Sequence, residues 1–171
     1  MKSSDLKIYY TYSYINNLFN SVIDLLPPFL RFVVFKILLG KLGKNVLIDF
    51  KVYFRYLKKI SIGDNVEINR GCQFFPSYKI KSAKIFIKDN VIIAPNVIFF
   101  GAGQNPRNIA DDVAKDIIIN ESVYVGGGSI IRYGVEIGKN SIIGAGSVVV
   151  GNIPPNCVYA GNPAKFVRQV N

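Results

Sequence analysis

The sequence predicts an all-β chain: a parallel β-helix of six-residue repeats, preceded by a short helical N-terminal segment. The first observation behind this is a strict period. Aliphatic residues recur at every sixth position, at Ile119, Val125, Ile131, Ile137, Ile143 and Val149. A second core-type residue follows four positions after each of the first five, at Val123, Ser129, Val135, Ser141 and Ser147, and Ile153 extends that series. The second observation is the punctuation. Small residues follow many of the aliphatics (Gly126, Gly138, Gly144), and turn-forming triplets recur at 63–65 (GDN), 88–90 (KDN) and 138–140 (GKN). A period of six suits neither a helix nor a lone alternating strand. It suits a short extended segment plus a corner, with three segments to a coil and stacked coils burying one continuous core.

In chain order, residues 1–41 stand apart as a helical, capping or membrane-proximal segment. INNLFNSVIDLL places Ile15, Leu18, Phe19, Val22, Ile23, Leu25 and Leu26 on a helical stripe. Pro27-Pro28 breaks it, and FLRFVVFKILLGKLG resumes as a second helix with Pro28 at its start and Gly40 or Gly43 near its end. Tyr9, Tyr10, Tyr12 and Tyr14 precede the pair. These helices read as a cap on the open end of the solenoid, which repeat proteins require, and equally as a basic, aromatic, in-plane membrane contact.

Residues 42–156 carry the repeat, which also shows upstream in Ile62…Val66, Ile68…Cys72, Ile87…Val91 and Ile93…Val97. Two stretches interrupt it: a short one at 75–84 (FPSYKIKSAK) and a longer polar one at 100–116 (FGAGQNPRNIADDVAKD). Excursions from a rigid scaffold are where chemistry concentrates, so 100–116 is the candidate active-site loop. Residues 157–171 form a C-terminal tail.

Composition narrows the function classes. Lys and Arg number 21 against 11 Asp and Glu, for a net charge of +10, which favours anionic partners. No nucleic-acid-binding signature accompanies the charge. With no histidine and only Cys72 and Cys157, a zinc site is not expected. The stretch Phe29–Leu39 is too short to span a bilayer, and no secretory leader is visible, so a cytoplasmic protein is expected, with peripheral contact at the inner face of a membrane as an option.

The run IGKNSIIGAGSVVVGNIPPNCVYAGNPAKFVR (137–168) resembles the C-terminal signature of the hexapeptide-repeat acyltransferases, most closely the sugar O-acetyltransferases of polysaccharide and lipopolysaccharide assembly. The resemblance implies a left-handed helix, a homotrimer, and acetyl-CoA as cosubstrate without a metal. The function it implies is O-acetylation of a sugar in a surface polysaccharide or its precursor. It also implies a pantetheine channel along small residues, here Gly127, Gly128 and Ala145, and phosphate contacts from Lys165 and Arg168.

One residue departs from the family. The family carries its general base, a histidine, on the loop equivalent to 100–116. Matching GAGQNP to that pattern places Gln104 there, or Asn105 with a shift of one. An amide does not accept a proton near neutral pH. The base then comes from Asp111, Asp112, Asp116 or water, or the histidine was exchanged by design. Otherwise the chain is an inactive β-helix that binds coenzyme A or glycan as a scaffold or regulator.

Overall fold

A computed structural model describes residues 3–170, with side chains from Tyr10 onward, so Tyr9 lies outside the described side chains. Short parallel strands wind through three sheets in turn. Sheet A contains Lys41–Leu42, Ile60–Ile62, Ile85–Ile87, Ile117–Ile119 and Glu136–Ile137. Sheet B contains Leu47–Ile48, Glu67–Ile68, Ile92–Ile93, Tyr124–Val125, Ile142–Ile143 and Cys157–Ala160, with Lys165–Gln169 added antiparallel at its end. Sheet C contains Tyr53–Phe54, Gln73–Phe75, Ile98–Phe100, Ile130–Arg132 and Val148–Val149.

The register measures the repeat directly. Ile118 pairs with Glu136, Tyr124 with Ile142 and Ile130 with Val148, so a regular coil takes 18 residues, or three six-residue steps. The six periodic aliphatics from Ile119 to Val149 all have no solvent exposure. Lower in the core the filling turns aromatic. Phe54, Phe74 and Phe99 stack at centroid distances of 4.9 and 4.6 Å.

The second series explains its own serines. A buried hydroxyl needs a partner, and Ser129 Oγ donates to Gly144 O at 3.1 Å while Ser141 Oγ donates to Pro154 O at 2.8 Å. These bonds join one coil to the next. At the corner between sheets A and B, Asn45, Asn65, Asn90, Asn140 and Asn156 take the left-handed conformation that asparagine tolerates. Their side chains form ladders: Asn45 donates to Asn65 and Asn65 to Asn90 at 3.1 Å, and Asn140 to Asn156 at 3.0 Å.

Helix α1 spans Ser3–Asp24 and α2 spans Pro28–Leu38. The first is longer than its apolar stripe predicts and takes in the tyrosines before Ile15. The second ends before Gly40, because Leu39 is already extended and Lys41–Leu42 joins sheet A. Ile23, Phe35 and Leu39 are buried with the solenoid core, and Phe35 meets Phe54 edge-on at 5.3 Å. The inner faces of both helices therefore close the first coil. Buried Arg31 ties the arrangement together, with Nη2 3.2 Å from Asp24 Oδ1 and 2.9 Å from Asp49 O.

Departures from 18 residues all fall at the corner between sheets C and A. From Tyr53 to its partner Gln73 the step is 20 residues, and a short 3-10 turn at Leu57–Lys59 occupies that corner. From Gln73 to Ile98 it is 25, and from Ile98 to Ile130 it is 32. The expected interruptions at 75–84 and 100–116 are thus stacked excursions from one edge of the prism.

Candidate active site

The longer excursion is an ordered antiparallel hairpin, where the sequence reads as a polar loop. Ala102–Asn105 pairs with Asn108–Ala114, with a register shift between Gln104 and Asn105. Polar residues hide a hairpin because neither strand buries a face. Its base is held by Gly101 N, which donates to Phe75 O at 2.9 Å, and by Gly103, which lies against the Tyr133 ring. A Cβ on Gly103 would stand 2.5 Å from Tyr133 Cε1, so any side chain there would have to displace the Tyr133 ring. Lys79 anchors the far strand through its 3.0 Å ion pair with Asp112. Lys59 pins the shorter excursion, donating to Ser77 O at 2.6 Å and Ile80 O at 2.8 Å. Burial, with Lys81 and Lys84 adding repulsion, lowers the Lys59 pKa below the ordinary lysine value.

Gln104 is exposed and lies across the hairpin from Asp112. In the amide orientation that satisfies its surroundings, its nitrogen donates to Ile109 O at 2.8 Å and to Asp111 O and Asp112 Oδ1 at 3.2 Å. Asn105 plays a different part. Its Oδ1 accepts from Arg107 N at 3.0 Å and shapes the turn. The three candidate carboxylates also separate. Asp116 Oδ1 accepts from Lys84 N at 2.8 Å as part of a corner, and Asp111 Oδ2 accepts from Asn108 Nδ2 at 3.0 Å within the turn. Of the three, only Asp112 meets the Gln104 amide through its carboxylate.

Gly127, Gly128 and Ala145 come together on another edge of the prism, the corner between sheets B and C. Gly146 N donates to Gly127 O at 2.9 Å across successive coils. A Cβ on Gly128 or Gly146 would meet nothing within 4 Å, and Ala145 is exposed, so backbone lies open along this edge. An extended, amide-bearing chain can lie there and bond to main chain. The tail returns to the same end: Gly144 faces Ala160 across the coil step, and Lys165 is cross-strand to Ala160. Arg168 lies farther along that strand, opposite Val158, with Nη1 donating to Gln169 O at 3.0 Å. Both cations are exposed.

A cavity of about 550 Å³ sits lower on this edge, between α1 and the outer face of sheet C. Ser13, Asn17, Tyr53, Gln73, Phe75 and Asn96 contribute to its lining. Gly128 N donates to Pro95 O at 2.9 Å, so the open backbone strip starts one coil above Asn96. Hydroxyl, amide and aromatic groups together suit a polyhydroxylated ligand. Sequence reasoning missed these residues. The available signal was the outward positions of the lower sheet C strands, where Tyr, Gln and Phe replace the usual aliphatics.

One chain therefore keeps the hairpin and the open strip on opposite edges of sheet C, about 10 Å of three-residue strand apart at least. Among the described residues no group of three or more His, Cys, Asp or Glu is arranged to hold a metal ion.

Comparison with known proteins agrees with this architecture. The bacterial transferase hexapeptide (six repeats) family matches residues 116–151. A Saccharomyces cerevisiae protein provisionally named an acetyltransferase is 41% identical over 142 residues, which cover 80% of this chain and 69% of that protein. The galactoside O-acetyltransferase of Escherichia coli is 36% identical over 140 residues, covering 80% of this chain and 66% of the relative. The chain thus spans about two thirds of the length of these curated relatives. A hexapeptide-repeat acetyltransferase of Vibrio cholerae, solved with acetyl coenzyme A, superimposes with a TM-score of 0.83 at 27% identity, covering 99% of this chain and 91% of that one. Fold and relatives define a transferase built on a left-handed parallel β-helix. The chain belongs to the hexapeptide-repeat acetyltransferase family.

Proposed function

We propose that the chain is an acetyl-CoA-dependent O-acetyltransferase whose acceptor is a sugar of a surface polysaccharide or of its precursor. The observation that carries this reading is the shared edge of the prism. A strip of open backbone at Gly127, Gly128 and Ala145 runs toward a cavity lined by Asn17, Tyr53, Gln73 and Asn96. Donor and acceptor laid along one edge meet end to end, which gives the proximity that acyl transfer needs. Lys165 and Arg168 supply cations for the nucleotide phosphates at the far end.

The sugar hydroxyl oxygen attacks the thioester carbonyl, the carbon–sulfur bond breaks and the ester carbon–oxygen bond forms. The hydroxyl proton must leave and the departing sulfur must gain one. Gln104 stands where the family has its histidine, and its nitrogen contacts Asp112, the carboxylate best placed to take that proton. The hairpin occupies the opposite edge of sheet C, so a neighbouring copy would bring its Gln104 and Asp112 over this chain's strip. A homotrimer provides that arrangement. Cytoplasmic work beside a membrane follows from an acceptor that is a lipid-linked precursor.

A second reading has its own observation. Lys79 already holds Asp112, and the Gln104 amide is committed to the hairpin, which suits a protein that binds acetyl-CoA or glycan without transferring the acyl group. Release of free coenzyme A from acetyl-CoA in the presence of a hexose panel separates the two. Acceptor-dependent release supports the enzyme. Thermal stabilisation by coenzyme A with no release supports the binder.

A further inference from the structure

The inner faces of α1 and α2 cap the solenoid, but their outer faces are equally apolar. Ile15, Leu18 and Val22 on α1, continued by Leu25 just past its end, form one exposed stripe at spacings of three and four residues. Phe29, Val33 and Ile37 form another on α2 at spacings of four. The stripes meet at the Pro27 break, where Leu25 is 84% and Phe29 68% exposed. Single exposed apolar residues need no explanation, but seven in register on consecutive helices do.

The charge along this segment of chain is mostly positive, although Asp64 Oδ1 accepts from Lys44 N at 2.7 Å. Between Tyr10 and Ile48 the sequence contains a single acid, Asp24, and Arg31 pairs with it at 3.2 Å. Lys36, whose Nζ donates to Leu42 O, and Lys41 and Lys44 are exposed in the same segment. Lys58, from the first coil, donates to Ile37 O at 2.8 Å, which sets another ammonium at the end of the α2 stripe. No helix among the described residues is long and apolar enough to cross a membrane. An apolar stripe with lysines on its own helix and at its end, on helices too short or too polar to span, matches a helix lying in the plane of a bilayer surface.

We propose that the outer faces of α1 and α2 form a docking surface for an anionic lipid bilayer. The apolar side chains enter the interface and the lysines meet the lipid phosphates. The inference stands on the helices alone and is independent of whether the chain transfers acetyl groups.

Vesicle flotation of the full chain tests it, using phosphatidylcholine alone and equal parts of phosphatidylcholine and phosphatidylglycerol. Binding is expected to the anionic vesicles and to fall steeply with salt. Val33→Glu with Ile37→Glu weakens it by at least about tenfold, and Lys36→Gln and Lys41→Gln weaken it by about fivefold each. All four positions are exposed, so folding is preserved. The chain has no tryptophan, so Phe29→Trp gives a single reporter. Its emission is expected to shift to the blue on anionic vesicles and to stay put with phosphatidylcholine. Absence of flotation with both vesicle types overturns the proposal. So does a Phe29→Trp reporter already blue-shifted without lipid, accompanied by loss of the oligomer in Val33→Glu/Ile37→Glu on sedimentation, because the face is then covered by a second copy.

Discussion

Gln104 and Asp112 face each other across the hairpin, with the Gln104 amide nitrogen 3.2 Å from Asp112 Oδ1 and Lys79 on the same oxygen at 3.0 Å. The relationship gathers Gln104, Asp112 and Lys79 into a defined polar triad near the tip of one excursion. It also limits which substitutions are informative.

Gln104→His introduces a group that can accept a proton and, on the proposed function, should raise acetyl transfer by about 10²–10⁴-fold, measured as kcat with a saturating sugar acceptor. If Asp112 takes the proton in the present chain, Asp112→Asn abolishes the basal rate and leaves Gln104→His active. A basal rate already equal to that of Gln104→His would show that position 104 is not the vacant base site.

Ala145→Phe fills the open edge beside Gly127 and Gly146. The KM for acetyl-CoA should rise by at least about tenfold. The melting temperature should hold, because substitution at an exposed site usually changes stability by about 0.5 kcal/mol or less. Asn17→Ala, in the cavity lower on the same edge, should instead raise the KM for the sugar and leave the acetyl-CoA KM unchanged.

Lys165→Gln should weaken acetyl-CoA binding by several-fold and flatten its salt dependence, since an exposed cation acts through a screened field. Arg168→Gln should act in the same direction and less strongly, because Arg168 lies farther along the strand from Ala160 than Lys165 does. Titration with coenzyme A at low and high salt reads both effects.

The solenoid was legible because its core positions are constrained twice, once by burial and once by phase. Ile131 and Val149 sit in one column of paired strands, and shifting either by one residue would turn it outward. The corner asparagines of the turn triplets were legible for a related reason, since Asn65, Asn90 and Asn140 occupy backbone conformations that few residues tolerate. Nothing comparable marks the outward residues of sheet C. Gln73 and Phe75 could face solvent or ligand with the same spacing, so the cavity emerges only when α1 is placed over them. The hairpin was hidden for a third reason. Ala102 and Ala114 pair locally through backbone, and their neighbours leave no buried stripe to read.

Cys72 makes a prediction about pH. Its thiol is buried, donates to Ala94 O at 3.2 Å, and has its pKa pushed up from 9.0 to about 11 by that burial. The folded state thus favours the protonated thiol, and its contribution is complete below pH 9.0. Between pH 9.0 and about 11 the unfolded chain ionises first, and stability should fall by about 2–3 kcal/mol. Urea titrations across this range should show the loss, and Cys72→Val should remove that component. A thiol reagent should leave Cys72 unmodified in the native protein at neutral pH.

Phe99 lies at the transition from aromatic to aliphatic filling, stacked on Phe74 with an interplanar angle of 11°. Phe99→Ala should cost about 3–5 kcal/mol. Because each coil rests on its neighbours, the loss should appear as earlier hydrogen exchange in the adjoining Gln73–Phe75 and Ile130–Arg132 strands before the last coils open.

The corner between sheets C and A is also an insertion port. The chain leaves it after Phe54, Phe75 and Phe100 and re-enters sheet A at Ile60, Ile85 and Ile117, which pair in one column whatever length of chain lies between. Residues added there introduce no phase error into the coils above or below. The segment carrying Gln104 can therefore be exchanged as a cassette, and the groups it presents can diverge while the edge at Gly127 and Ala145 keeps its spacing.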